Sequence, residues 1–183
     1  MERQFPESSI VNDPHKIEGP MTEAKESFYE LAKDKVRYLS HDEIQEWNKE
    51  TRGIDRYVSP ASYILNYGTK ISEEGDYEKW VNNLEIVVDR DAFEIDDKDF
   101  SGLIPFILEH DIYEAWLSVK KGAASSFDVS KKHLLSLRRE FLLAAEQCLE
   151  DKLFEWHILM RSDDEHKQEC EHALDYAKRR ANK

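Results

Sequence analysis

His110 and Glu114 stand one helical turn apart in the most apolar stretch of the chain, residues 103–119, LIPFILEHDIYEAWLSV. At about 100° per residue, Leu103, Phe106, Ile107, Tyr113 and Leu117 share their side, while Ile104, Leu108, Ile112, Ala115 and Val119 cover the opposite one. A helix that is apolar nearly all round is a buried helix. A buried imidazole and a buried carboxylate need each other, a further partner or a metal. Side chains at i and i+4 lie one above the other, so His110 and Glu114 can ligate a single ion. Imidazole nitrogen with carboxylate oxygen suits one divalent metal of the Zn²⁺, Fe²⁺ or Mn²⁺ kind. Asp111 directly follows the first of these residues, where a general base would act. Farther along, His133 and Glu140 lie about two turns apart on one face with Leu137 and Ala144. Antiparallel packing of two helices would bring one of them to the first pair as a third ligand. The same residues also read as a purely structural buried His–Glu hydrogen bond, or as a helix-seam pair bridged to Arg138 or Arg139.

The elements that must hold these residues follow from periodicity and punctuation. The buried helix spans about 103–121, with Pro105 in its first turn and Gly122 as its stop. A short loop, 122–128, leads to a long helix expected over about 130–160, and Ser162-Asp-Asp-Glu165 matches a capping box opening a last helix. Leu84–Arg90 has the β-branched core of a strand, and Ile54–Val58 is a weaker strand candidate. Upstream, helices are expected from Thr22 to about Leu39 and from the capping box at Ser40 to Lys49, ending near Gly53. Ser59-Pro60 predicts a further helix carrying Tyr63, Ile64 and Tyr67. Residues 1–20, with Pro6, Pro14 and Pro20, read as an extended or flexible arm, leaving 21–183 as one α-rich domain. The expected fold is α+β and predominantly α-helical: a small sheet or hairpin, then a helical half built on a long antiparallel pair.

A strand at 84–90, a helix carrying His110-Asp-x-x-Glu114 and a following helix carrying Glu140 together resemble a reduced, gluzincin-type zincin metallopeptidase core over about residues 84–145. In that family an edge strand holds extended substrate, one helix supplies two ligands and the base, and the next helix supplies a Glu ligand. The resemblance implies His110 as first ligand, Asp111 as base and Glu140 as third ligand. Two positions depart from the family: Glu114 stands where a second His belongs, and Asp111 where the base is Glu. The shorter base and the harder ligand imply a metal-binding domain with weak or absent hydrolase activity of the peptidase type.

Composition narrows the alternatives. The chain has 183 residues, 40% hydrophobic and 36% charged, enough for a core under a charged coat. Acidic residues outnumber basic ones 39 to 26, for a formal net charge of −13, which predicts no nucleic-acid or anionic-membrane partner. The basic groups at Lys131, Lys132, Arg138 and Arg139 and at Lys178–Arg180 read as solvated helix faces. Cys148 and Cys170 form no Cys-x-x-Cys pair, which excludes a zinc ribbon and fits a reduced, cytoplasmic chain without signal peptide or transmembrane segment. No phosphate-binding glycine loop or Gly-x-Ser-x-Gly turn is present. The cluster Asp163, Glu165, His166, Glu169, Cys170, His172 holds one Glu-x-x-His where a di-iron bundle needs two, and reads as a solvated charged helix. His41 and His157 have no convergent partners in sequence. Beside the metal-binding reading stands a second class: a non-enzymatic acidic helical protein that binds a protein or peptide, with Trp47, Trp80, Trp116 and Trp156 as anchors.

Overall fold

The computed structural model describes residues 23–56, 59–65, 81–121 and 129–181. Within them run α1 (Glu23–Lys33), β1 (Val36–Leu39), α2 (His41–Arg52), β2 (Ala61–Leu65), β3 (Leu84–Asp89), the short pair β4 (Glu94–Ile95) and β5 (Lys98–Asp99), α3 (Ile104–Lys121), α4 (Val129–Glu146), α5 (Glu150–Met160) and α6 (Asp164–Ala181). The fold is α+β and predominantly helical, as the periodicity predicts. None of these helices is long and apolar enough to cross a membrane.

The sheet has the order β1-β3-β2, with β1 parallel and β2 antiparallel to the central β3. Ile86, Val87 and Val88 of β3 are fully buried, because both faces are covered and both edges are paired. Leu84–Asp89 is therefore a central strand and leaves no edge open to a substrate chain. The second capping signal is met in full: Ser40 Oγ accepts from Glu43 N–H, Glu43 reaches back to the Ser40 N–H, and Gly53 ends α2 in the left-handed region at φ 67°.

Three upstream expectations are corrected. The helix begun near Thr22 stops at Lys33, and Val36–Leu39 is a strand: its residues gain ladder bonds with β3 that a longer helix would forgo. Ser59-Pro60 opens strand β2 rather than a helix, since Ser62 and Ile64 pair against Val87 and Glu85 of β3. Tertiary pairing outweighs the local cap signature there, and the β-prone Tyr63 and Ile64 fit it; Tyr67 lies outside the described residues. Ile54–Arg56 forms no strand, and Val58 is outside the described residues. The arm over 1–20, the loop 122–128 and Trp80 also lie outside the described residues.

Helix α3 is buried nearly all round, as expected, with Phe106, Ile107, Ile112, Tyr113, Trp116 and Leu117 in the core. It packs antiparallel on α4. Lys132 Nζ meets Ser118 Oγ at 3.1 Å at one end, and Arg139 Nε donates to Glu109 Oε1 at 2.8 Å toward the other. Arg139 also lies over the rings of Tyr113 and Tyr29. Trp47, Trp116 and Trp156 are each at most 5% exposed, so they serve the interior and not a docking face.

The expected single helix over 130–160 is instead two. Cys148 takes φ 56°, a left-handed conformation, and the chain turns between α4 and α5. The last helix starts one residue later than its capping box implies: Asp163 Oδ1, not Ser162, accepts the His166 N–H at 3.0 Å. Left-handed backbone costs a side chain with a Cβ about 1–2 kcal/mol, and Cys148 is exposed. Cys148→Gly should therefore raise the urea midpoint, by about 1 kcal/mol of stability; a loss of stability would show that the turn is held by the Cys148 side chain and not merely tolerated there.

Candidate metal centre

The centre is built around one carboxylate. Glu140, on α4, is fully buried. Its Oε2 meets His110 Nδ1 of α3 at 2.8 Å, and its Oε1 meets His157 Nε2 of α5 at 2.9 Å. Both are true hydrogen-bond distances. Burial alone would raise the Glu140 pKa, but the two imidazoles outweigh it and hold the carboxyl down to about 2. His110 shows the converse: burial disfavours its cation, yet Glu114 and Glu140 raise its pKa to about 10.

With Nδ1 committed to Glu140, His110 presents Nε2 to Glu114. Glu114 Oε2 lies 3.5 Å from His110 Nε2 and 3.7 Å from His133 Nδ1. These separations are too long for good hydrogen bonds. They match another geometry: two donors each about 2.0–2.1 Å from one ion, at a tetrahedral angle, lie about 3.4 Å apart. His110, Glu114 and His133 form one of the groups whose donor atoms all fall within 4.8 Å of one another. Behind His133, Glu169 Oε2 lies 3.6 Å from its Nε2. Tyr63 of β2 points its hydroxyl at Glu114 Oε1, 3.4 Å away.

Of the residues expected to converge, His110, Glu114 and His133 do so. Glu140 is adjacent, but its oxygens are occupied by His110 and His157, so it orients those two rings and has no oxygen turned to the trio. Asp111 lines the same pocket, and its buried Oδ2 has no hydrogen-bond partner. Burial, reinforced by Glu114 and Glu140 and opposed by the His110 cation and Arg52, raises its pKa to about 7. Of the structural alternatives weighed from sequence, the His–Glu hydrogen bond exists, but to Glu140, and the seam arginine Arg139 pairs with Glu109 instead.

The pocket has a volume of about 470 Å³ and opens beside β2, with Arg52, Ser62, Tyr63 and Arg161 among its walls. Arg52 Nη2 donates to Ser62 Oγ at 2.6 Å and to the Tyr63 carbonyl at 2.8 Å. The amide of Ile86 bonds Lys35 of the β1 side and the amide of Asp89 bonds Pro60 of the β2 side. By that alternation Ala61 and Tyr63 turn their carbonyls away from β3, toward the free edge. Ser59 Oγ takes the Ala61 carbonyl and Arg52 takes that of Tyr63. These two outward acceptors are thus already engaged.

Three residues that the sequence reading set aside as solvated or unpartnered are part of the interior. His157, His166 and Cys170 are buried, at 8%, 5% and 0% exposure. The C-terminal helix is not a solvated rod: His166, Cys170, Ala173 and Ala177 recur at helical spacing and face the core. That stripe was the available signal, obscured by the charged residues between its members. His166 Nε2 lies 3.3 Å from His157 Nδ1, and Cys170 Sγ lies 3.5 Å from His166 Nε2. No known protein-family model matches the chain, and no curated protein or solved structure is significantly similar to it.

Two outcomes follow. Glu140→Ala strands His110 and His157 and should cost about 3–5 kcal/mol in chemical denaturation, the usual price of breaking a buried ion pair; a loss under about 1 kcal/mol would show that the network is solvated. For Asp111, whose folded pKa lies near 7, the unfolded carboxyl near 4 releases its proton first. Raising pH from about 4 to about 8 therefore costs the folded state stability through this group. In chelator-treated protein, Asp111→Asn should gain more melting temperature over the parent at the higher pH than at the lower; an equal gain at both would contradict the raised pKa.

Proposed function

We propose that this chain is a metal-binding domain whose His110 Nε2, Glu114 Oε2 and His133 Nδ1 hold one divalent transition ion at the floor of the pocket. The observation that carries it is the contrast in distances: 2.8 and 2.9 Å where Glu140 hydrogen-bonds its histidines, but 3.5 and 3.7 Å where Glu114 faces His110 and His133. Two histidines and one carboxylate are a donor set used by zinc and by ferrous iron, with positions left open. Glu140 fixes the His110 tautomer and ring plane; Glu169 Oε2 stands 3.6 Å behind His133 Nε2, which has no hydrogen-bond partner. Such an ion would supply Lewis acidity beside Asp111. Asp111, with one oxygen unpartnered and a pKa near neutrality, is the group fitted to take up a proton there.

This reading is zincin-like in its helix-borne ligands and includes weak or absent peptidase activity. Extended peptides bind such enzymes by adding a strand to a free edge. Here β3 is internal, and the outward carbonyls of β2 are taken by Ser59 and Arg52. The pocket accepts a small molecule more readily than a chain.

Calorimetric titration of chelator-treated protein with Zn²⁺ tests the site. Glu114→Gln and His133→Ala should each lack one binding event that the parent shows, while Glu140→Gln should weaken that event by about 10–100-fold without abolishing it. Both ligand variants binding as many zinc ions as the parent, with the same affinity, would refute the assignment.

A further inference from the structure

We propose a second, softer metal site formed by His157 Nδ1, His166 Nε2 and Cys170 Sγ, back to back with the first across Glu140. It does not depend on the His110–Glu114–His133 reading. The donor atoms of these three residues lie within 4.8 Å of one another. Zinc ligation places nitrogen at about 2.0–2.1 Å and sulfur at about 2.3 Å, so tetrahedral neighbours are about 3.4 Å apart for two nitrogens and about 3.5–3.6 Å for nitrogen and sulfur. The observed separations are 3.3 Å for His166 Nε2 to His157 Nδ1 and 3.5 Å for Cys170 Sγ to His166 Nε2.

The orientation of His157 is set from outside this trio. Its Nε2 is held by Glu140 Oε1 at 2.9 Å, which leaves Nδ1 directed at His166. Glu140 Oε2 does the same for His110, by way of the opposite ring nitrogen. One carboxylate thus orients one histidine of each site, the arrangement by which carboxylates commonly tune metal-bound imidazoles. His166 is 5% exposed, and its other nitrogen, Nδ1, has no hydrogen-bond partner. The ring therefore meets its neighbours through Nε2 alone, the nitrogen that faces His157 Nδ1 and Cys170 Sγ.

Two imidazoles and a thiolate suit zinc, and Co²⁺ as its spectroscopic stand-in. On binding, the Cys170 thiol yields its proton to solvent and sulfur donates to the ion. Three protein donors leave a fourth position, and His157 and His166 both line the pocket from which it would be filled. Cys148, the other cysteine, is exposed and serves as a control.

The test is anaerobic titration of reduced, chelator-treated protein with Co²⁺, following the near-ultraviolet sulfur-to-cobalt charge-transfer band. The parent and Cys148→Ser should develop the band fully within two equivalents, and Glu114→Gln, which lacks the first site, within one. Cys170→Ser should lose it while keeping its far-ultraviolet circular dichroism, and His157→Gln should lose or weaken it at least about tenfold. No band in the parent would overturn the proposal, as would a band lost in Cys148→Ser and retained in Cys170→Ser. His166 also lies within reach of His133 and Glu169; cobalt held there would bind without a sulfur band, and that result counts against the proposal. Because Glu114→Gln removes a ligand of the first site alone, failure of that site leaves the band unchanged, and failure of this one leaves the zinc event lost in Glu114→Gln.

Discussion

A carboxylate with no access to water, Glu140, is the constraint around which the helical half is arranged. An isolated buried charge of this kind is strongly disfavoured, so the fold must deliver cationic or hydrogen-bonding partners to both oxygens. It delivers His110 from α3 and His157 from α5, and each contact is short. Three helices are thereby tied to one point. The neighbouring Glu109–Arg139 pair fixes the same α3–α4 register one residue away, and the Trp156 indole donates to the Ala92 carbonyl at 3.0 Å, anchoring α5 to the segment after β3.

The polarity of this arrangement turns ionisable groups toward the pocket. Each imidazole bound to Glu140 has one nitrogen spoken for and one turned outward, so the carboxylate sets the orientation of both rings. Around it the protonation preferences diverge: Glu114 and Glu140 are held ionised by the histidines, Asp111 is pushed toward neutrality by burial, and burial with His157, Arg161 and His133 lowers His166 to about 4. Neighbouring groups driven in opposite directions are what a reactive or ligand-binding site requires. Asp111 Oδ2 and His166 Nδ1, both buried, lack a hydrogen-bond partner within the protein.

How far the sequence disclosed this depends on range. His110 and Glu114 are one turn apart on an apolar helix, and that relation is local, so spacing alone located them. The α3–α4 pairing that adds His133 follows from the brevity of the segment between the helices. The role of Glu140 was hidden because it is defined by His157, and a continuous helix would set those residues about 25 Å apart at 1.5 Å per residue. The left-handed turn at Cys148 folds α5 back and closes that gap to a 2.9 Å hydrogen bond. Cysteine carries no signature of such a turn, where glycine or asparagine would have. His166 and Cys170 repeat the i, i+4 logic of His110 and Glu114, but charged flanks concealed the stripe completed by Ala173 and Ala177. In the sheet, the reverse error arose at Ser59-Pro60, where a strong local cap signal yielded to pairing with β3.

The proposed centre requires His110, Glu114 and His133 to be donors to one ion, with Glu140 orienting His110. Crystallographic location of the ion in zinc-loaded protein, by anomalous scattering at the zinc edge, addresses this directly. The expected result is a peak about 2.0–2.2 Å from His110 Nε2, Glu114 Oε2 and His133 Nδ1, with Glu140 still bonded to His110 Nδ1. A zinc-saturated crystal with no peak among those three residues, or with Glu140 itself as the ligand in place of His110, would contradict it.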